Sequence, residues 1–252
     1  MSPIHLGDRV RDVGEPRQAR VENHWQDYWD RLEEHVFFRV EAEDYVARLG
    51  AALGPHLGAR VLDFGCGFGF VADLLAPEVT ALFVFDASDH MRRQAQLRLA
   101  GQANVRFLGP PGAAPWPAGL QFDLILVNSV VQYMTPDEFH GWLGRWRAML
   151  APGGRLVLSD LFTRDVNPLR EVVELLILSA RGRCLVSVVR KALGELRHYT
   201  RTRHVQPLCR IAISDLRERA DRLGLAVDVL ASNLTYRSTR ATAVLSISAA
   251  DP

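Results

Sequence analysis

Apolar and polar positions along the chain fall into blocks whose period switches between helix-like and strand-like. From about Arg20 to Leu53 the period is helical, with Trp25, Trp29, Leu32 and Val36 spaced to share one face. Gly54-Pro55 interrupts it. An apolar run from Arg60 to Phe64 then enters Gly65-Cys66-Gly67-Phe68-Gly69. The spacing after it predicts a helix through Val71, Leu74 and Leu75 that ends near Pro77. Ala81 to Phe85 reads as a second strand ending at Asp86, with Ser88 placed to cap a helix to about Leu99. Val105 to Leu108 is a short strand, and Phe122 to Val127 is apolar throughout, as a strand covered on both faces must be. Thr135, Pro136 and Glu138 form a capping-box pattern for a helix reaching Leu150, which Pro152-Gly153-Gly154 should stop. Arg155 to Ser159 is a fifth strand. Ser214 is placed to cap a helix to about Leu223, and strands at Leu225 to Leu230 and Thr239 to Ile247 close the chain.

Strands alternating with helices in this way predict an open α/β sheet. Four regions are expected within one domain: an N-terminal helical cap over 1–55, a core over 56–161, a helical insertion over 162–211, and a C-terminal helix and strand pair over 212–252. The insertion breaks the alternation. It holds apolar helical segments at Val172 to Leu178 and Leu185 to Leu193, and from Phe162 to Arg210 it has ten basic residues against four acidic ones.

Composition narrows the class. Hydrophobic residues make up 48% and charged residues 23%, ordinary values for a globular domain. The formal net charge of +1 gives no reason to expect nucleic acid as a partner. Cys66, Cys184 and Cys209 are widely spaced, which suggests neither a zinc site nor a disulfide framework, so no metal is expected. No run of apolar residues is long enough for a spanning helix, and the polar N-terminus lacks a secretory core, so a cytoplasmic location is expected. A homodimer is compatible with the sequence.

The glycine-rich loop offers two readings. A dinucleotide fingerprint needs G-x-G-x-x-G, whose third glycine lets helix and strand pack closely. Here Gly65, Gly67 and Gly69 are followed by Phe70, so that close fit is expected to be missing, although a ligand can still approach the loop backbone. The segment Val61-Leu62-Asp63-Phe64-Gly65-Cys66-Gly67-Phe68-Gly69 resembles the first motif of class I S-adenosylmethionine-dependent methyltransferases. Phe85-Asp86-Ala87-Ser88 through Met91 resembles their second motif. Phe122 to Ser129 resembles the fourth-strand motif, and Leu150-Ala151-Pro152-Gly153-Gly154-Arg155-Leu156 the turn before the fifth strand. The matches run in the family's order over 60–160, and the closing strands match its C-terminal hairpin.

The resemblance implies a Rossmann-like, seven-stranded, mostly parallel sheet with an antiparallel C-terminal hairpin. It implies S-adenosylmethionine as cofactor, with S-adenosylhomocysteine as product, held by Asp63, Phe64, Gly65, Gly67, Gly69, Asp86, Ala87, Met91, Asn128 and Ser129. Asp86 should take the ribose hydroxyls, and Asp63 should organise the loop and the methionine amino group. The acid that many relatives carry after the third strand is replaced by Leu108-Gly109, so adenine is expected to rely on backbone groups and Met91.

Transfer from a sulfonium depends strongly on alignment, so a base is optional. On the acceptor side the candidates are His24 and Tyr28 on the first helix, Tyr133 after the fourth strand, and His198 and Tyr199, with His204, in the basic insertion. Trp25 and Trp29 read as packing residues, Gln132 as facing the pocket mouth, His140 as exposed, Cys66 as filler, and Asp160 as a base or a cap. The acceptor expected is a small organic molecule, methylated at oxygen, with carbon and nitrogen as alternatives. A nicotinamide-dependent oxidoreductase and a non-catalytic cofactor-binding domain are the other readings.

Overall fold

The computed structural model describes residues 24–54, 59–109, 116–163, 166–191 and 208–248. The strands are β1 Arg60–Phe64, β2 Ala81–Phe85, β3 Val105–Phe107, β4 Phe122–Asn128, β5 Leu150–Leu161, β6 Leu225–Val229 and β7 Ala241–Ile247. The helices are α1 His24–Arg31, α2 Val36–Leu53, α3 Phe70–Leu75, α4 Asp89–Arg98, α5 Pro136–Ala148, α6 Pro168–Arg181, α7 over 185–191 and α8 Ile213–Asp221.

The strands pair in the order β3-β2-β1-β4-β5-β7-β6. β1 through β5 run parallel to one another, while β7 is antiparallel to both β5 and β6. The order reverses between β1 and β4, and a ligand site is expected beyond the carboxyl ends of those two strands. Alternation of side chains splits the core into two layers. Val61, Leu124, Leu126 and Val157 pack with Tyr45 and Leu49 of α2, whereas Leu62, Ile125, Val127 and Leu156 pack with Phe139, Leu143 and Trp146 of α5.

Several expectations from the sequence are corrected. The first helical stretch is two helices, with a break over 32–35. Leu32 is buried there, and the His35 side chain accepts the Phe37 N–H to cap α2. Val36 consequently leaves the face of Trp25 and is exposed. The Pro152-Gly153-Gly154 turn does not precede the fifth strand but bulges within it. Leu150 already pairs with Phe122, and Arg155 pairs with Leu124. Ser214 lies inside α8 rather than at its cap, which is Ala212 with no side-chain hydrogen bond. The caps at Ser88 and Thr135 form as the sequence indicates, the latter as a full capping box.

Candidate active site

The loop after β1 is tied to the tip of β2. The Gly65 and Cys66 N–H groups donate to the Phe85 carbonyl at 2.7 and 2.9 Å, and the Gly67 N–H donates to Asp86 Oδ2 at 2.8 Å. Gly65 has a φ of 83°, and a Cβ there would lie 2.2 Å from Val130 Cγ2. Gly69 has a φ of 79°, and its Cβ would lie 3.1 Å from Ala95 Cβ on α4. Gly69 thus lets the loop pack closely on α4, a contact distinct from the helix–strand fit that a third glycine at position 70 would give. Gly67 has open space where a side chain would be, so its backbone faces the cavity.

Asp86 also accepts the Ser88 N–H at 2.9 Å through Oδ1. Burial pushes its carboxyl up, and the two backbone N–H donors and Arg92 oppose that. Each oxygen has one donor in hand and keeps capacity for another.

Asp63 pairs with Leu126 in the β1–β4 ladder, so Asn128, two residues on, projects to the same face as Asp63. Both have a buried oxygen without a hydrogen-bond partner, Asp63 Oδ2 and Asn128 Oδ1. Burial, followed by the Asp86 charge, pushes the Asp63 carboxyl up to about 7. Unpaired buried acceptors are costly, and a carboxylate more so than an amide. A third such atom, Trp146 Nε1, lies in the apolar cluster below Phe64, and nothing in the structure explains it.

Next to this cradle lies a cavity of about 380 Å³. Gly65, Gly67, Asp86, Ala87, Ser88, Met91, Asn128 and Ser129 line one part of it. Phe64, Phe85, Val130, Met134 and Trp142 form an apolar wall, Trp25, Trp29 and Tyr133 with Gln26 line another side, and Glu138 also borders the cavity. α1 is fastened over the site: Gln26 Nε2 donates to the Ala87 carbonyl at 3.1 Å, and Ser88 Oγ donates to Asp30 Oδ1 at 2.5 Å. The Tyr133 ring lies 4.9 Å from Trp25 and 5.3 Å from Trp29 between centroids.

A family model for the methyltransferase domain matches residues 32–230. The chain belongs to the methyltransferase domain family. Within it, the order of motifs and strands makes this a class I S-adenosylmethionine-dependent methyltransferase. The methyltransferase is 33% identical over 155 residues to a protein-L-isoaspartate O-methyltransferase of Anaeromyxobacter dehalogenans, covering 60% of this chain and 68% of that one. It is 31% identical over 134 residues to a ubiquinone biosynthesis O-methyltransferase of a Caulobacter species, covering half of each. The chain also spans only about half the length of several other curated relatives, as 52% of a second Anaeromyxobacter dehalogenans protein. The fold is also that of the N-methyltransferase NodS from Bradyrhizobium japonicum, solved with S-adenosyl-L-homocysteine. There the identity is 18% and the TM-score 0.57, over 89% of this chain and 98% of the other.

The residues present fit the methyltransferase cofactor. An amino acid ammonium supplies the donors that Asp63 Oδ2 and Asn128 Oδ1 lack, and ribose hydroxyls suit the remaining acceptor capacity of Asp86. Of the ten residues expected at the cofactor, Phe64, Gly65, Gly67, Asp86, Ala87, Met91, Asn128 and Ser129 line the cavity. Asp63 lies buried at the end of β1, and Gly69 packs on α4. Of the acceptor-side candidates, Tyr133 lines the cavity. Tyr28 packs on Trp25 and Trp29 and is not among the lining residues. His24 opens α1, its side chain outside the described residues, where His198, Tyr199 and His204 also fall.

Gln132 and Asp160 correct the sequence reading. Gln132 is buried, does not line the cavity, and accepts from Arg240 at 2.6 Å. Asp160 is buried and accepts from Ser129 Oγ and Thr235 Oγ1 at 2.8 Å and from Arg240 at 2.9 Å, while Arg237 lies at 3.4 Å. A carboxylate so occupied holds the β4 tip in place instead of acting as a base. From the sequence Trp25 and Trp29 read as packing residues, and no pattern in it singles out Gln26, Met134 or Trp142. Their convergence depends on how α1 and α5 dock, for which no local signal exists.

Proposed function

We propose that the enzyme transfers the methyl group of S-adenosylmethionine to a small organic acceptor, at oxygen. The observation that carries this reading is the pair of unpartnered acceptors, Asp63 Oδ2 and Asn128 Oδ1, at the point where strand order reverses. S-adenosylmethionine bound there would supply a methyl group already activated on a sulfonium. The chain's own share is alignment. Asp63 and Asn128 accept from the ammonium, Asp86 accepts from the ribose, and Phe64, Phe85, Met134 and Trp142 give the adenine an apolar seat. Well-aligned reactants gain up to ~7–11 kcal/mol from positioning alone.

Trp25, Trp29 and Tyr133 exclude water from the acceptor side, and the Tyr133 hydroxyl is the candidate to hold the acceptor's proton. His24, Tyr28, His198 and Tyr199 remain candidates for the same side. Two O-methyltransferases among the relatives support oxygen as the acceptor atom. The apolar, aromatic lining supports a small molecule over a charged polymer.

Titration calorimetry with S-adenosylhomocysteine and NAD tests the cofactor, and mass spectrometry of candidate acceptors after incubation tests the transfer. Expected are binding of the nucleoside but not of NAD, and an acceptor heavier by one methylene. Binding of NAD alone contradicts the reading.

A further inference from the structure

α6 has two apolar faces, and only one is buried. Leu175 and Leu178 turn inward with Cys184 and Val188 onto Phe37 and Tyr236. Leu169, Val172, Val173, Leu176 and Ile177 recur at the i, i+3, i+4, i+7, i+8 spacing that normally faces a core. Here they face outward: Leu169 is 80% exposed, Val173 53% and Ile177 47%. The outer side of α7 adds Leu185, Val189 and Val186, the last 83% exposed. Isolated exposed apolar residues are common, but an apolar stripe on one helix followed by exposed apolar residues on the next marks an interaction surface.

Charge on this region is sorted by side. The acids of α6 are engaged with the segment before β7: Glu171 accepts from Arg240 at 2.7 Å, and Glu174 accepts the Ser238 N–H at 2.9 Å. Arg181, Arg183 and Arg190 stay exposed beside the apolar stripe, as does Arg170, which also reaches Glu174. Arg183 and Arg190 line a groove along the start of α7.

We propose that this face docks on an anionic lipid bilayer, the apolar stripe entering the acyl boundary and the arginines meeting headgroup phosphates. Among the described residues no helix is long and apolar enough to cross a membrane, so the association is peripheral. Charge complementarity selects the occupant: Arg170, Arg181, Arg183 and Arg190 are exposed while both acids of α6 are engaged with the segment before β7, which leaves a basic surface suited to anionic headgroups. The surface does not depend on the methyl-transfer reading.

Vesicle co-sedimentation of the full chain tests it, with phosphatidylglycerol–phosphatidylcholine vesicles against pure phosphatidylcholine. Capture by the anionic vesicles is expected, roughly tenfold stronger than by the neutral ones. The double variant Val173→Glu/Val186→Glu should lose roughly tenfold in capture with an unchanged melting temperature, since both positions are exposed. Arg183→Glu/Arg190→Glu should lose the preference for anionic vesicles. No capture of the wild type, or equal capture of the apolar double variant, overturns the proposal. So does a dimer in light scattering that the apolar double variant dissociates.

Discussion

Oδ2 of Asp86 accepts the backbone N–H of Gly67 at 2.8 Å. One carboxylate thus both sets the shape of the glycine loop and presents acceptor capacity to whatever lies against it. Asp86→Ala removes both contributions. Hydrogen bonds to charged groups are worth ~1.5–3 kcal/mol, and every 1.4 kcal/mol is a factor of ten. Affinity for S-adenosylhomocysteine is expected to fall tenfold or more, roughly, in titration calorimetry. An unchanged affinity would mean that the ribose is held elsewhere.

Asp63 is expected to make cofactor binding depend on pH. Burial, and then the charge of Asp86, holds its carboxyl at about 7 when nothing is bound. Over the range from ordinary carboxylate values up to there, the folded chain keeps a proton that the unfolded chain has released. This group therefore costs stability progressively as pH rises through that window, and the full penalty stands above it. A bound ammonium favours the charged form and relieves the penalty. Thermal stabilisation by S-adenosylhomocysteine should then grow between about pH 6 and about pH 8. Asp63→Asn cannot ionise, so its ligand shift should be flatter across the same range. Identical profiles for the two proteins in scanning fluorimetry would remove Asp63 from the site.

Two glycines separate packing from ligand approach. Gly65→Ala places a methyl 2.2 Å from Val130 Cγ2 at a left-handed backbone position. It should cost roughly 1–3 kcal/mol of stability, partly recovered by Val130→Ala. Gly67→Ala carries the same left-handed backbone strain, φ being 54°, but its methyl meets open space in the protein and fills the side of the loop that lines the cavity. It should lower nucleoside affinity more than Gly65→Ala does relative to its stability cost. Chemical denaturation paired with calorimetry on both variants checks the contrast; the reverse ranking would be inconsistent with this geometry.

How much of this was legible beforehand differs from element to element. β2 was read at its observed ends, because an apolar run between turn residues and an acid is a local signal. The caps at Ser88 and Thr135 were legible for the same reason. The break at 32–35 was not, since a buried Leu32 keeps the helical period running through it. Pro152-Gly153-Gly154 looked like a stop because a bulge inside a strand depends on the partner strand's register, which the sequence does not display. In the site, the loop and Asp86 came from contiguous motifs. The wall formed by Trp25, Trp29 and Tyr133, and the ties from Arg240 to Asp160 and Gln132, join residues far apart in the chain and exist only once the fold is made.

Those ties carry a stability cost when broken. Asp160 is fully buried and Arg240 nearly so, with Asp160 tied also to Ser129 at the β4 tip. Asp160→Ala takes one acceptor from Arg240, which keeps Glu171 and Gln132, and leaves the Ser129 and Thr235 hydroxyls without theirs, so it should cost roughly 1–3 kcal/mol. A melting temperature within a degree or so of wild type would show the network to be dispensable. Asp160→Asn keeps the shape and some hydrogen bonds, so its loss should be smaller.

The most direct test is a crystal structure of the chain grown with S-adenosylhomocysteine. The nucleoside is expected at the β1–β4 switch point, with its ribose on Asp86, its backbone against Gly67, and its ammonium toward Asp63 and Asn128. Density for the nucleoside at any other place, or none at saturating concentration, would contradict the assignment of these residues as the cofactor cradle.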